Sequence, residues 1–162
     1  MIFGLALHDL TADWGSFYAN HAAVRSAVLF AHIGGLVLAG GAAMTADRGL
    51  LSAFRGDADT RRAQLVSTRN THAVVLGGLV SIILSGALLF ASDVDTFLAS
   101  RVYWTKMGLV LLLLVNGALL TSAERRATLG DAHAWSTLRL TAALSLALWS
   151  LITLAGVTLV NS

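Results

Sequence analysis

The stretch VRSAVLFAHIGGLVLAGGAAMTA, residues 24–46, holds almost only small and aliphatic side chains and decides the fold. A helix needs about 20 apolar residues to cross a hydrocarbon layer about 30 Å thick. Three further stretches have this character, at residues 73–91, 105–121 and 138–160. The sequence therefore predicts a single membrane domain, residues 1–162, with four membrane-spanning helices.

The composition of the chain indicates lipid as its solvent. Charged residues make up 12% and hydrophobic residues 56% of the chain, whereas soluble domains carry about a quarter charged residues. The chain has no cysteine, which excludes disulfides, iron–sulfur clusters and thiolate metal sites. It has no proline either, so the usual cause of a helix kink is absent. We predict an all-α fold, a transmembrane four-helix bundle.

The basic residues predict how the spans are oriented. Lys and Arg in short loops stay on the cytoplasmic side of a membrane. Segments 47–72 and 122–139 contain eight such residues, and the opposite side contains three, which are Arg25, Arg101 and Lys106. We therefore expect residues 47–72 to form a cytoplasmic loop carrying a surface helix or two, and both termini to be periplasmic in a bacterial inner membrane.

Two short helices are predicted at the periplasmic surface. Trp14 and Tyr18 lie in a stretch with helical periodicity, which indicates an interfacial helix over about residues 9–21. Asp93 and Asp95 are placed to cap a second short helix just before the third span, with a cation site as the alternative. Lys106, at the start of that span, is expected to extend its ammonium group outward to the lipid headgroups.

Small residues at four-residue spacing predict how the spans pack. The stripe on the first span and the stripe on the second consist of Ala31, Gly35, Ala39 and Ala43, and of Ala73, Gly77, Ser81 and Ser85. Such spacing lets helix backbones approach closely, so we expect the first two spans to form a tight pair. Asn116 in the third span is expected to hydrogen-bond to a neighbouring helix.

His32 is the first candidate functional residue, because ionisable residues inside spans usually face a partner or a cavity. The antiparallel arrangement brings Ser85 and Thr153 to its depth, so a hydrogen-bonded neutral imidazole is one interpretation. The alternatives are a single ligand to a b-type haem, a contact with a quinone, or a proton relay.

His72 is the second candidate cofactor ligand, but it is not expected to share one haem with His32. The two histidines differ in depth by about 15 Å in a layer of about 30 Å. We expect His72 to cap the start of the second span and His133 to lie in a solvated loop. The alternative is a metal or haem site in which His72 and His133 converge with Met44 and Glu124. Since no two of these share a tight ligand spacing, we predict no metal site.

The chain resembles a group of uncharacterised bacterial membrane proteins with four helices, over nearly its whole length. The features that recur in this group are His32, Gly34, Gly35, His72, Ser85, Gly86, Trp104, Lys106, Met107, Asn116 and Gly117. The group implies no activity for this chain. The architecture is more remotely similar to cytochrome b561-like and copper-resistance-D-like bundles, which bind haem or metal through histidines paired at one depth.

Two functional classes follow from these features. No nucleophile–base pair and no phosphate-binding loop is visible, so we predict no catalytic residue and favour a non-catalytic accessory or assembly subunit of a larger membrane complex, without a cofactor. The alternative is an electron-transfer protein with a b-type haem or a quinone near His32 or His72. A transporter is disfavoured because the spans hold no Asp or Glu between their ends. The expected partners are the lipid bilayer and other membrane subunits or further copies of the chain, and no nucleic acid.

Overall fold

The structure, a computed structural model, describes residues 2–161, with the side chains of residues 11–159 and of Asn161. Four of its helices are long and apolar enough to cross a membrane, and no strand occurs among residues 2–161. The elements in chain order are α1 (Ile2–Asn20), α2 (Ala22–Ala53), α3 (Ala58–Ser92), α4 (Val94–Ala99), α5 (Arg101–Thr128) and α6 (Ala134–Val160). The predicted all-α four-helix bundle of a multi-pass membrane protein is confirmed.

The long helices extend beyond the predicted spans at one end of the bundle. This end, where α2 turns into α3 and α5 into α6, is called the turn end below; the end with α1 and α4 is called the terminal end. Residues 47–72, predicted as a loop with a surface helix or two, are helical except for a turn over residues 54–57. Leu50 and Leu65 explain the difference, because both are buried in a core that the continued helices build together.

Local signals fix both turns at the turn end. The Asp57 carboxylate accepts the backbone N–H of Thr60 at 2.8 Å, so it caps the start of α3. Hydrogen bonds from the Thr60 hydroxyl and backbone N–H hold the pKa of Asp57 below its ordinary value. Gly130 ends α5 with a φ of 91°, a conformation that favours glycine. The Asp131 N–H then donates to the Arg126 carbonyl oxygen at 3.1 Å, which satisfies an end of the helix.

The terminal end carries the two short helices. Helix α1 starts at Ile2, earlier than the predicted residue 9, and packs on α3, α4 and α2. The Trp14 indole N–H donates to the Leu88 carbonyl oxygen of α3 at 2.9 Å. Asp93 caps α4 by accepting the backbone N–H of Thr96 at 3.2 Å, as predicted.

The four long helices are arranged in the order α3, α2, α6, α5. Helices α2 and α3 pack most extensively, followed by α5 and α6, and α2 joins the two pairs by packing on α6. The α3–α5 side touches over only a few residues and is called the α3–α5 seam. At its terminal end the rings of Phe90 and Tyr103 stack across it, with centroids 5.6 Å apart.

Small residues create the closest approach in the bundle. A Cβ atom added to Gly35 would lie 2.9 Å from the Gly78 carbonyl oxygen, and one added to Gly78 would lie 2.8 Å from the Ala39 Cβ atom. The backbones of α2 and α3 are therefore in direct contact, which is how helices gain packing energy in lipid. In the other pair, the Asn116 amide N–H donates to the Thr141 carbonyl oxygen of α6 at 2.9 Å.

Two apolar cores lie along the bundle axis. The terminal-half core is built from Ala39, Leu113, Trp149 and Ile152. The turn-end core is built from Leu50, Leu65, Ala123, Ala127, Ala134, Leu138 and Ala142. Buried polar residues lie between these cores on α2 and α6 and beside Ala123 of the turn-end core on α5, and they belong to the candidate site.

Candidate functional site

His32 is held by a serine of the neighbouring helix. Its Nδ1 atom lies 3.0 Å from the Ser85 Oγ atom. The Ser85 hydroxyl donates its own proton to the Ser81 carbonyl oxygen at 2.5 Å, so it accepts from His32, whose ring carries a proton on Nδ1. This confirms the predicted hydrogen bond between His32 and Ser85.

Lys106 lies in the same region and departs from its prediction. Its Nζ atom is 3.6 Å from the position that a Cβ atom would take on Gly156, and its charge acts on the His32 ring. Lys106 is therefore half-buried against α6 and does not extend freely outward. The space left by the missing side chain of Gly156 explains this placement.

The two small-residue stripes contribute unequally to the packing of α2 and α3. The members that lie at the contact or in the core beside it are Ala31, Gly35, Ala39, Ala43, Ser81 and Ser85. Ala73 and Gly77 do not belong to the contact: both are exposed, and a Cβ atom on Gly77 would meet nothing within 4 Å. Gly78 is buried in place of Gly77. Each step of four residues turns an α-helix about 40° past a full turn, so a long stripe leaves the contact face.

A cluster of four polar side chains, one from each long helix, lies in the turn half of the bundle. Asp47 of α2, His72 of α3, Glu124 of α5 and Ser145 of α6 form this cluster, called the polar cluster below. The His72 Nε2 atom lies 3.2 Å from the Glu124 Oε2 atom. The Ser145 hydroxyl faces the carboxyl group of Asp47, and the Asp47 charge acts on Glu124.

The two carboxyl groups of the polar cluster are almost completely removed from solvent. Asp47 and Glu124 are each 2% exposed, whereas the His72 side chain is 32% exposed. Among the described residues, Asp47 Oδ2 and Glu124 Oε1 have no hydrogen-bond partner. The facing atoms of His72 and Glu124 are within hydrogen-bonding distance but not aligned as a hydrogen bond. Arg69, one turn before His72, is exposed, and its charge acts on both of them.

The structure brings together only part of the predicted inner site. His72 and Glu124 meet, and His72 does not cap a helix, because α3 begins at Ala58. Met44 packs against the terminal-half core. His133 is exposed at the start of α6. Within the part of the chain that the structure describes, no group of three or more His, Cys, Asp or Glu residues is arranged to hold a metal ion.

Sequence reasoning missed Asp47 as a site residue, because it took Asp47 as the first residue of a loop. A signal was present: the stripe Gly35, Ala39, Ala43 continues in steps of four to Asp47. Ser145 follows Leu138, Thr141 and Ala142 on the buried face of α6 with helical spacing. Extending the buried face of α2 past its apolar span would have placed Asp47 inside the bundle, whereas Ser145 already lies on the buried face within the predicted fourth span.

The two histidines occupy different levels of the bundle. His32 is level with its hydrogen-bond partner Ser85, and Ser85 lies about 20 Å along α3 from His72, at 1.5 Å per residue. One haem iron cannot be bound by both. No protein family model matches the sequence, and comparisons with curated proteins and with solved structures likewise found no match. The resemblance to bacterial four-helix membrane proteins stays a prediction.

Proposed function

We propose that the protein is a non-catalytic accessory or assembly subunit of a larger membrane complex. The observation that carries the proposal is a groove of about 460 Å³ on the outside of the α2–α3 pair. It is lined almost entirely by small or hydroxyl-bearing residues: Gly41, Ala42, Thr45, Ala46, Gly49, Gln64, Ser67 and Thr71. Small residues on a membrane helix let the backbone of another helix approach closely.

Both threonine hydroxyls of the groove are satisfied within the chain. The Thr45 hydroxyl donates to the Gly41 carbonyl oxygen at 2.7 Å, and the Thr71 hydroxyl donates to the Ser67 carbonyl oxygen at 3.0 Å. The groove therefore presents mainly methyl groups and backbone to its surroundings. This chemistry fits a helix of another subunit that runs from the membrane past its surface at the turn end, as α2 and α3 do, and that would fill the groove by close packing.

Both candidate ligands face side chains of this same chain. His32 binds Ser85 and His72 faces Glu124, which is how structural histidines in a bundle are satisfied. The alternative is electron transfer through a b-type haem or a quinone near His32 or His72, and the His72 side chain is 32% exposed.

We further propose a bacterial inner membrane with the turn end in the cytoplasm and both termini in the periplasm. The distribution of basic residues supports this orientation, because the cytoplasmic side of a membrane protein carries the excess of Lys and Arg. The residues toward the turn end are Arg48, Arg55, Arg61, Arg62, Arg69, Arg125, Arg126 and Arg139.

Photocrosslinking in native membranes tests the subunit proposal. A benzoylphenylalanine in place of Thr45 should give one protein adduct of discrete mass. The same probe in place of Leu144, which is exposed on α6 beside the level of Ser145, should give none. Lipid adducts alone at Thr45, or an adduct with a second copy of the chain only, would contradict the proposal.

A pair of glycine variants tests the groove without disturbing the fold. Gly41→Leu fills the groove, and Gly108→Leu adds the same side chain to α5; a Cβ atom at either glycine meets nothing within 4 Å. Gly41→Leu should abolish the Thr45 adduct, whereas Gly108→Leu should leave it in place. Equal adduct yields in both variants would show that the groove is not the docking surface.

A further inference from the structure

The buried position of the polar cluster limits how many of its groups can be charged at the same time. Asp47 and Ser145 lie between the two cores along α2 and α6, and Glu124 lies on α5 between Ala123 and Ala127 of the turn-end core. Taking an ion out of water into such surroundings costs several kcal/mol, and an unpaired buried charge is the most costly arrangement. Asp47 and Glu124 therefore do not both stay ionised unless positive charge or a proton compensates them.

The groups that face the cluster can be counted helix by helix. Helix α2 gives Asp47, α3 gives His72 and the nearby Arg69, and α5 gives Glu124. Of the described residues of α6, Ser145 faces the cluster, and it is uncharged. One arginine balances one carboxylate, so the remaining carboxyl and the imidazole reach neutrality only if they hold one proton between them.

The contacts indicate which carboxyl group keeps that proton. The Ser145 hydroxyl faces the carboxyl group of Asp47, and a hydroxyl in this position favours the carboxylate form. Glu124 has an unpartnered Oε1 atom and lies in the field of Asp47. Its other oxygen, Oε2, is 3.2 Å from His72 Nε2, so a small rotation of the ring aligns the two atoms for proton sharing.

We propose that Glu124 Oε2 and His72 Nε2 form a binding site for one exchangeable proton, with His72 as its connection to water. His72 is the exposed member of the pair and lies at the α3–α5 seam, the least closely packed side of the bundle. An incoming proton binds the exposed imidazole, and the Nε2 proton passes to Glu124 Oε2, which leaves the ring neutral. Release reverses the two transfers. The proposal is independent of the subunit role, because no residue of the polar cluster lines the groove.

Infrared spectroscopy of the full chain in lipid nanodiscs tests the site. At neutral pH the unmodified protein should show the carbonyl stretch of a protonated carboxyl group, and the band should shift when the buffer is exchanged to D₂O. Glu124→Gln should remove the band. Asp59→Asn, the matched change at an exposed position, should leave it unchanged. Absence of a D₂O-sensitive band in the unmodified protein would overturn the proposal without any variant.

Two further variants separate the proton store from its access route. Asp47→Asn removes the charge that retains the proton, so the band should vanish at a lower pH than in the unmodified protein. His72→Gln should keep the band but slow its exchange into D₂O by about a hundredfold, the effect typical of removing a positioned proton-transfer group. Exchange as fast as in the unmodified protein would show that His72 is not the route.

Discussion

His32 and His72 occupy the same bundle at different levels, and their surroundings differ in the tightness of packing and in the group that each ring faces. His32 sits where α2 and α3 approach most closely and binds a neutral hydroxyl. His72 sits on the open α3–α5 seam and faces a buried carboxyl group. The residue type alone therefore does not set the role of a membrane-embedded histidine. The partner and the tightness of the surrounding packing set it.

The largest expected effect is on the close contact between α2 and α3. Gly35→Leu forces side-chain atoms into the Gly78 carbonyl oxygen, which lies 2.9 Å from the position of the first added carbon. We expect a loss of about 3 kcal/mol or more in the free energy of unfolding, because overpacking displaces backbone here. Denaturant unfolding in mixed micelles measures it.

The adjacent glycine supplies the control for this prediction. A Cβ atom on Gly34 meets nothing within 4 Å, so Gly34→Leu should unfold like the unmodified protein. Equal stabilities of the two variants would mean that α2 and α3 are not in backbone contact at Gly35.

The next effect in size concerns the polar cluster. His72→Ala removes the group that faces the Glu124 carboxyl and leaves a buried polar group without its neighbour. We expect a loss of about 1–3 kcal/mol in the free energy of unfolding, the usual cost of an unsatisfied buried group. His133→Ala, at an exposed histidine, should change it little. If both variants are equally stable, the pairing of His72 with Glu124 does not contribute to the fold.

A smaller effect is expected where α5 and α6 meet. Asn116→Leu removes the hydrogen bond to the Thr141 carbonyl oxygen. Because this oxygen belongs to the backbone of α6, it keeps its helical hydrogen bond and is not left unsatisfied. We expect a loss of about 1 kcal/mol, within the range for interhelical hydrogen bonds in membranes. An increase in stability on this substitution would show that burying the Asn116 amide destabilises the protein by more than its hydrogen bond stabilises it.

The smallest expected effect concerns the hydrogen bond between His32 and Ser85. The double-mutant cycle of His32→Ala and Ser85→Ala isolates their hydrogen bond, and we expect a coupling of about 0.6 kcal/mol, the mean for such pairs. Ser85 keeps its bond to Ser81 in the absence of the ring, which limits the loss. A coupling of zero would mean that the two side chains do not interact in the membrane.

The sequence predicts the fold well and the polar cluster only in part, for one physical reason. Long apolar stretches report which residues lie in lipid, and they located all four long helices. They do not report where a helix ends inside the protein, because residues such as Asp47 and Leu50 are buried by neighbouring helices and not by lipid. The same limit applies to Gly77 and Gly78, since adjacent glycines are distinguished only by the rotation of the helix.

Pairings between distant helices were predictable where the register was simple. The contact of His32 with Ser85 follows from two antiparallel spans that run side by side. The contact of His72 with Glu124 joins α3 to α5 across the seam, and its geometry depends on how α6 sets the two pairs relative to each other. Spacing within one helix carries no information on that arrangement.

Solid-state nitrogen NMR of histidine-labelled protein in lipid bilayers tests the central claim most directly. Signals of the two rings are assigned with His32→Gln and His72→Gln. We expect His32 to hold its proton on Nδ1 and to exchange it slowly with water, whereas the His72 Nε2 atom should share a proton with Glu124 and exchange it rapidly. Two rings with the same protonation and the same exchange rate would contradict the central claim.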